Sequence, residues 1–119
     1  MLDTALRTFD DTIESMGPLR AVIAADLAPL VRRIDDEGLY PDRTMRALGE
    51  AGLFGRYLRA SAGARPDLGA AVRAMALVGE TCMSTAVCTW CQDACDWYLE
   101  QSENAGLRDA LQPGLASGA

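Results

Sequence analysis

Residues 29–53 read PLVRRIDDEGLYPDRTMRALGEAGL, and the glycines and prolines in this stretch predict two helices joined by a short loop. Pro29 lies inside a helical pattern, where it removes an amide donor and presses on the preceding turn, so we expect a kink there. The first helix is predicted to close near Gly38. Pro41 is predicted at the first position of the second helix, where its missing donor costs nothing. Gly52 supplies a left-handed end to that helix.

Apolar residues recur at three- and four-residue spacing along most of the rest of the chain, which is typical of amphipathic helices. The helix that contains Pro29 is predicted to begin at Leu19. The other predicted helices begin at Leu2, Asp67, Ser84 and Asn104, with Asp67 and Ser84 as N-caps; Gly17-Pro18 ends the helix from Leu2, and Pro113 ends the last one. Residues 55–66 are predicted to form a surface loop, and no stretch alternates with period two over a strand length. The predicted fold is all-α, one helical domain over residues 1–119 with a bundle of about five or six helices.

The helix after Ser84 is apolar nearly all round, so we expect it to be the central and most buried one. Trp90 and Trp97 are interpreted as core anchors of this helix. The charged run of residues 32–37 is interpreted as a solvated helix end.

Composition limits the function classes. The chain has 119 residues, 50% of them hydrophobic, which suits one domain. Seventeen acidic residues against eleven basic ones give a net charge of −6, which argues against a nucleic-acid partner. No histidine is present, so Ser-His and Cys-His nucleophile pairs are excluded. The carboxylates lie on predicted polar faces, and none pairs with another as an acid and base set.

The amino terminus lacks the basic and apolar regions of a secretory signal. Its apolar runs fall well short of the roughly 20 residues that a membrane span needs. We therefore expect a cytoplasmic protein with no membrane partner.

Four cysteines lie at Cys82, Cys88, Cys91 and Cys95. On a helix the last three share one face, but Cys88 and Cys95 are about 10 Å apart along the axis, too far for one tetrahedral zinc. The sequence therefore predicts no metal site. Two interpretations stay open: the cysteines pack in the core as small hydrophobes, or their face borders a ligand cavity.

Several short motifs together resemble a known family. They are Pro29, Asp35, Tyr40-Pro41, Ala51-Gly52-Leu53, Ser84-Thr85 and the closing residues 112–118. Their order and spacing resemble the amino-terminal helical domain of the acyl-CoA dehydrogenase family. That resemblance implies an FAD-dependent flavoprotein oxidoreductase that abstracts a proton α to a thioester carbonyl and transfers a hydride to FAD.

The resemblance also implies that the flavin-binding and catalytic residues lie mostly in other domains. The family's β-domain and carboxy-terminal helical domain hold most of the flavin and the catalytic base, and neither has a counterpart within these 119 residues. We therefore expect this chain to be a fragment, or one chain of a split enzyme, with no catalytic residue of its own and no activity alone. Its expected partners are the remaining domains or a partner chain, an acyl thioester substrate, and a further copy of itself.

In the family, the helix after the Ser-Thr pair helps to wall the acyl pocket beside the flavin. Laying that helix on this one places five residues on the cavity side: Val87, Cys88, Cys91, Gln92 and Cys95. The leading hypothesis is thus one wall of an acyl and flavin cavity. The alternatives are a non-catalytic helical interaction or dimerisation module, and part of a flavin-dependent monooxygenase of the same superfamily.

Overall fold

The computed structural model describes residues 16–55 and 67–118, and every regular element in these two ranges is helical. The elements are α1 (Gly17–Val22), a π-helical turn (Ile23–Leu27), a 3-10 turn (Ala28–Leu30), α2 (Val31–Glu37), α3 (Asp42–Glu50), α4 (Leu68–Gly79), α5 (Met83–Gln101) and α6 (Ala105–Ser117). The all-α prediction is confirmed. The helix predicted over residues 2–16 and most of the predicted loop lie outside the described residues.

The helical path from α1 to α2 departs from regular α-helix geometry where Pro29 was expected to disturb it. The π-helical turn is followed by the 3-10 turn that contains this proline. Pro29 has no amide proton for the carbonyl of Ala25, so the regular hydrogen-bond ladder cannot continue through it. Thr44, buried on α3, donates its hydroxyl to the carbonyl of Asp26 in the π-helical turn at 3.4 Å.

The predicted glycine ends are confirmed. Gly38 ends α2 with φ 67° and Gly52 follows α3 with φ 89°, both in the left-handed region that glycine enters without strain. After Gly52 the chain folds back, and the amide of Leu53 donates to the carbonyl of Leu48 at 2.9 Å. Pro41 is the N-cap of α3, one position earlier than predicted.

The helix starts differ in how well the sequence predicted them. Asp67 caps α4 as expected, and Asn104, which was predicted to lead the last helix, caps α6. Their side-chain oxygens accept the amides of Ala70 and Leu107 at 2.9 and 3.0 Å. The prediction that Ser84 caps α5 is wrong, because Cys82 occupies the N-cap position. Ser84 lies in the first turn and donates its hydroxyl to Asp35 of α2 at 3.3 Å.

The prediction that Pro113 ends the last helix is also wrong. α6 continues through Pro113 to Ser117 and ends at Gly118. The proline deprives the carbonyl of Asp109 of its helical partner. None of the α6 residues is buried, so water can satisfy that carbonyl.

The hydrophobic core lies between the helices of residues 17–53 and the inner sides of α4 and α5. Its fully buried side chains include Leu19, Leu27, Leu48, Leu53 and Val78. None of the helices among the described residues has the length and apolar character of a membrane span. The charged run is a solvated helix end as predicted, because Arg32 pairs with Asp36 and Arg33 with Glu37, all exposed.

α3 and the end of α6 approach each other at glycine positions. Gly49 is buried, and a Cβ there would overlap the carbonyl of Ser117. Gly118 has φ 76°, and a Cβ there would lie 2.9 Å from the carbonyl oxygen of Met45 and 3.0 Å from the ring of Phe54. The carbonyls of Ser117 and Met45 belong to the backbone. A larger residue at either glycine would therefore clash in a way that side-chain movement alone cannot relieve.

We predict that Gly49→Ala destabilises the fold by about 1–3 kcal/mol, because overpacking against the Ser117 carbonyl forces backbone shifts. Gly114→Ala is the matched control. A Cβ at Gly114 meets no atom within 4 Å, and alanine should stabilise that helix by a few tenths to about 1 kcal/mol. Urea denaturation of both variants measures the difference, and equal stabilities would contradict the close approach.

Candidate functional site

An open apolar groove of about 660 Å³ runs between α4 and α5. Its lining residues are Val72, Met75, Ala76 and Gly79 of α4, Met83, Ala86, Val87 and Trp90 of α5, and Glu80 in the turn between them. Among the lining residues that the structure describes, Glu80 carries the one charged side chain. The groove is therefore suited to an apolar ligand or partner rather than to an anion.

The groove exists because α4 and α5 pack closely on one side only. The inner face of α4 carries the buried alanines Ala70, Ala71 and Ala74, whose small side chains let other elements approach. Where α4 ends, a Cβ on Gly79 would lie 3.5 Å from the Cβ of Ala86, which is ordinary van der Waals contact. On the outer side, larger side chains line the space between the two helices and stay exposed.

α5 is oriented differently from the sequence-based prediction. It was expected to be the most buried helix, but its outward face is exposed and apolar. Trp90 is 58% exposed and Trp97 is 36% exposed, so the interpretation of both as core anchors is wrong. Its inner face instead buries five polar side chains, which are Thr85, Thr89, Asp93, Asp96 and Glu100.

The structure does not bring the five predicted cavity residues together. Val87 lines the groove. Cys88 is half-buried on another side of α5 and lines a separate cavity of about 230 Å³ with Tyr40 and Pro41. Cys91 is exposed.

The remaining two predicted residues lie away from the groove as well. Gln92 donates its side-chain amide to the carbonyl of Leu115 on α6 at 3.1 Å, and Cys95 is exposed. Each residue turns the helix by about 100°, so 88 and 92 rotate away from the side that carries 87. A ligand-contacting role for these five residues stays a prediction.

The four cysteines divide between the two interpretations. Cys82 is buried in the core, whereas Cys91 and Cys95 are exposed and do not pack as core hydrophobes. Burial raises the pKa of the Cys88 thiol, and the neighbouring Cys91 and Cys82 raise it further, which keeps the thiol protonated. Among the described residues, no three Cys, His, Asp or Glu side chains are placed to hold a metal ion.

The buried carboxylates of α5 are the feature that sequence reasoning missed. Asp96 is 0% exposed, and one of its oxygens accepts the amide of Gly55 at 3.3 Å. Burial raises the pKa of Asp96 to about 6, an effect that the hydrogen bond from Gly55 only partly opposes. The spacing of Asp93, Asp96 and Glu100 on one helix face was the available signal.

A second cavity of about 300 Å³ lies beside the groove. Its lining residues are Leu68 of α4 and Trp90, Asp93, Ala94, Trp97 and Tyr98 of α5. Trp90 also lines the groove, so the two spaces are neighbours along the line where α4 and α5 meet.

Comparison with known protein families gives one match. The family model described as acyl-CoA dehydrogenase, N-terminal domain, matches residues 13–119. The resemblance drawn from the sequence motifs is thereby confirmed. No curated protein and no solved structure matches the chain.

We predict that Asp96→Asn stabilises the fold at neutral pH. The folded-state pKa of about 6 exceeds the ordinary value of 3.8, so the native state favours the protonated carboxyl, and stability falls as pH rises between these two values. Asparagine keeps the acceptor for Gly55 without a charge, which should add up to about 3 kcal/mol at about pH 7 and little at about pH 4.

Urea denaturation across this pH range measures the effect of Asp96→Asn. Asp109→Asn on the exposed side of α6 serves as the control and should change little at either pH. A uniform loss of stability in Asp96→Asn at every pH would show that the buried carboxylate is charged and well compensated.

Proposed function

The chain belongs to the family of acyl-CoA dehydrogenase N-terminal domains, and from this premise we propose that it is the amino-terminal helical part of a flavoprotein oxidoreductase of that kind. In this proposal the groove between α4 and α5 forms one wall of the cavity for the acyl chain and the flavin. The rest of the cavity comes from other domains or from a partner chain.

The open apolar groove is the observation that carries this proposal. Its volume of about 660 Å³ falls in the range of about 300–1,000 Å³ that is common for ligand sites. Four large apolar side chains along it remain exposed: Val72 at 57%, Met83 at 70%, Val87 at 51% and Trp90 at 58%. Exposed apolar patches of this kind mark surfaces that another molecule or domain covers.

The lining of the groove suits contact with an acyl chain or with the apolar face of a flavin ring. Its described part does not suit the pyrophosphate of FAD, because none of the described lining residues is Arg and the charged one, Glu80, is acidic. The donors for the pyrophosphate would then lie elsewhere in the enzyme. FAD, when bound, supplies the hydride acceptor, and the residues of this chain orient the substrate and exclude water.

The catalytic base would also come from outside this domain. Asp96 has a pKa near 6, which suits a base, but it is fully buried on the inner face of α5 and does not line the groove. A base must come within hydrogen-bond reach of the proton that it removes. Asp96 is therefore assigned a structural role in this proposal.

The same exposed face also supports a second function, a helical module that pairs with a copy of itself. The apolar exposure of α5 favours association whatever the partner is. Sedimentation analysis of the pure chain separates the two functions. A stable homodimer that covers the groove and associates with no flavin-containing protein would favour the second function.

Isolation of the chain under native conditions from cells that make it tests the main proposal. We expect a complex whose flavin absorbance bleaches when an acyl thioester is added without oxygen. A colourless preparation from every growth condition would overturn the proposal. A yellow complex that no acyl thioester bleaches would overturn the acyl-cavity role.

We predict that Val87→Trp raises the KM of that complex for a long-chain acyl thioester at least about fivefold, because overpacking costs about 1–3 kcal/mol. The effect on a short-chain thioester should be smaller, since a shorter chain leaves part of the groove empty. Leu107→Trp is the matched control, because Leu107 is 46% exposed on α6 and does not line the groove. Equal KM values for the two variants would remove Val87 from the substrate wall.

A further inference from the structure

Two of the four cysteines lie outside the core and do not line the groove. Cys91 and Cys95 are exposed on α5, whereas Cys82 is buried and Cys88 is half-buried. All four cysteines of the chain lie among the described residues, so this division covers every thiol that the protein has. Cys91 and Cys95 are therefore the thiols that a ligand in solution can reach.

The two exposed thiols lie about one helical turn apart on the same face of α5. Residues four positions apart rise by about 6 Å along the helix axis and are offset by only about 40° around it. Their Cβ atoms are then about 5–6 Å apart. A disulfide is disfavoured at this spacing, because it requires Cβ atoms within about 3.5–4.5 Å of each other. An ion between the two sulfurs requires no such close approach.

An ion with two sulfur ligands matches the spacing of Cys91 and Cys95. Two metal–sulfur bonds of about 2.3 Å, the length of a zinc–thiolate bond, place the sulfurs about 4.6 Å apart when the arrangement is linear. This span is slightly shorter than the separation of the Cβ atoms. The pair can therefore bridge an ion within the regular geometry of the helix.

The other soft ligands that the structure describes lie elsewhere. The chain contains no histidine. Of its five methionines, Met16 and Met45 are buried in the core, Met75 and Met83 line the groove, and Met1 lies outside the described residues. Among the described residues, no three Cys, His, Asp or Glu side chains are placed to hold a metal ion together. An ion on this face of α5 therefore finds two sulfur ligands in the described part of the chain.

Cys88 is the nearest further thiol, but it is a poor third ligand. Burial raises the pKa of its thiol, and the neighbouring Cys91 and Cys82 raise it further, so the protonated form is favoured. The thiolate, not the thiol, is the metal ligand. Zinc, which takes four ligands in structural sites, is therefore not suited to this face.

An ion that is satisfied by two thiolates fits these constraints. Soft thiolate ligands select Cu(I) among the first-row ions, whereas carboxylate and carbonyl ligands suit magnesium and calcium. We propose that Cys91 and Cys95 form a two-coordinate site for Cu(I) on the outer surface of α5. The site is independent of the proposed flavoprotein, because both ligands belong to this chain.

Binding at this site exchanges protons for the ion without a redox step. Two S–H bonds break, two copper–sulfur bonds form, and two protons pass to the solvent, while copper remains Cu(I). The pair of thiolates and one Cu(I) then carry a single negative charge. The net charge of −6 on the chain favours the approach of the cation.

Titration of the reduced full chain with Cu(I) tests the site. The ion is supplied without oxygen as its acetonitrile complex, in competition with the chelator bicinchoninate, and sulfur-to-copper charge-transfer absorbance reports thiolate binding. We expect saturation at one Cu(I) per chain. Any other stoichiometry, such as one Cu(I) for two chains, would overturn the site, and so would a failure to compete with the chelator.

Single substitutions identify the ligands. Cys91→Ser and Cys95→Ser should each weaken Cu(I) binding at least about a hundredfold, because loss of a group behind a metal ligand already costs about 10- to 100-fold. Cys88→Ser is the matched control and should change the affinity less than about threefold. Circular dichroism verifies that each variant folds. A loss of affinity in Cys88→Ser together with unchanged affinity in Cys95→Ser would overturn the pairing.

Competition with zinc tests the coordination number. Zn(II) at about a tenfold excess over Cu(I) should leave the charge-transfer absorbance unchanged, because two thiolates fill only half of its tetrahedral shell. Displacement of Cu(I) by Zn(II) would show that further ligands take part and would overturn the two-coordinate site.

Discussion

Polar side chains can be buried along the inner face of α5 because they find acceptors or donors close by. The Thr85 hydroxyl donates to the sulfur of Cys82 at 3.2 Å, and the Thr89 hydroxyl donates to the carbonyl of Thr85 at 3.0 Å. Asp96 accepts the amide of Gly55, from a segment 41 residues earlier. Without such partners, burial of these groups would cost about 1–3 kcal/mol each. The two threonine bonds are local to α5 and satisfy its buried hydroxyls, whereas the bond from Gly55 to Asp96 joins α5 to another part of the chain and favours this side facing inward.

That orientation determines which side chains of α5 lie on its outer surface. With threonines and carboxylates inside, the apolar residues Val87, Trp90 and Tyr98 are left on the outer surface. The groove beside α4 and the neighbouring cavity of about 300 Å³ both lie along this surface, and Trp90 borders each of them. If α5 buried its aromatic residues instead, it would add more apolar area to the core, but it would have no exposed apolar face beside the groove. The exposure of this face is the feature on which the proposed function depends.

The sequence was sufficient for features that depend on a few neighbouring residues. Gly38 and Gly52 end their helices, and Asp67 and Asn104 cap theirs, because each effect is decided within one helical turn. The all-α fold and the family followed from apolar periodicity and motif order in the same way. The candidate site was harder to predict from the sequence. Of the five residues expected on one cavity wall, Val87 lies on the groove, while Gln92 bonds to α6 instead.

The sequence by itself therefore determined the helices, most of their ends and the family, since these depend on local spacing and on recurring motifs. Only the tertiary structure decided which face of α5 is buried. Apolar residues lie on more than one side of this helix, so their spacing does not identify a single buried face. Pro113 shows the same limit, because a proline inside α6 is tolerated only where the surrounding surface leaves the carbonyl of Asp109 open to water. The role of Asp96 depended on Gly55, a partner distant in the chain that no local pattern could identify.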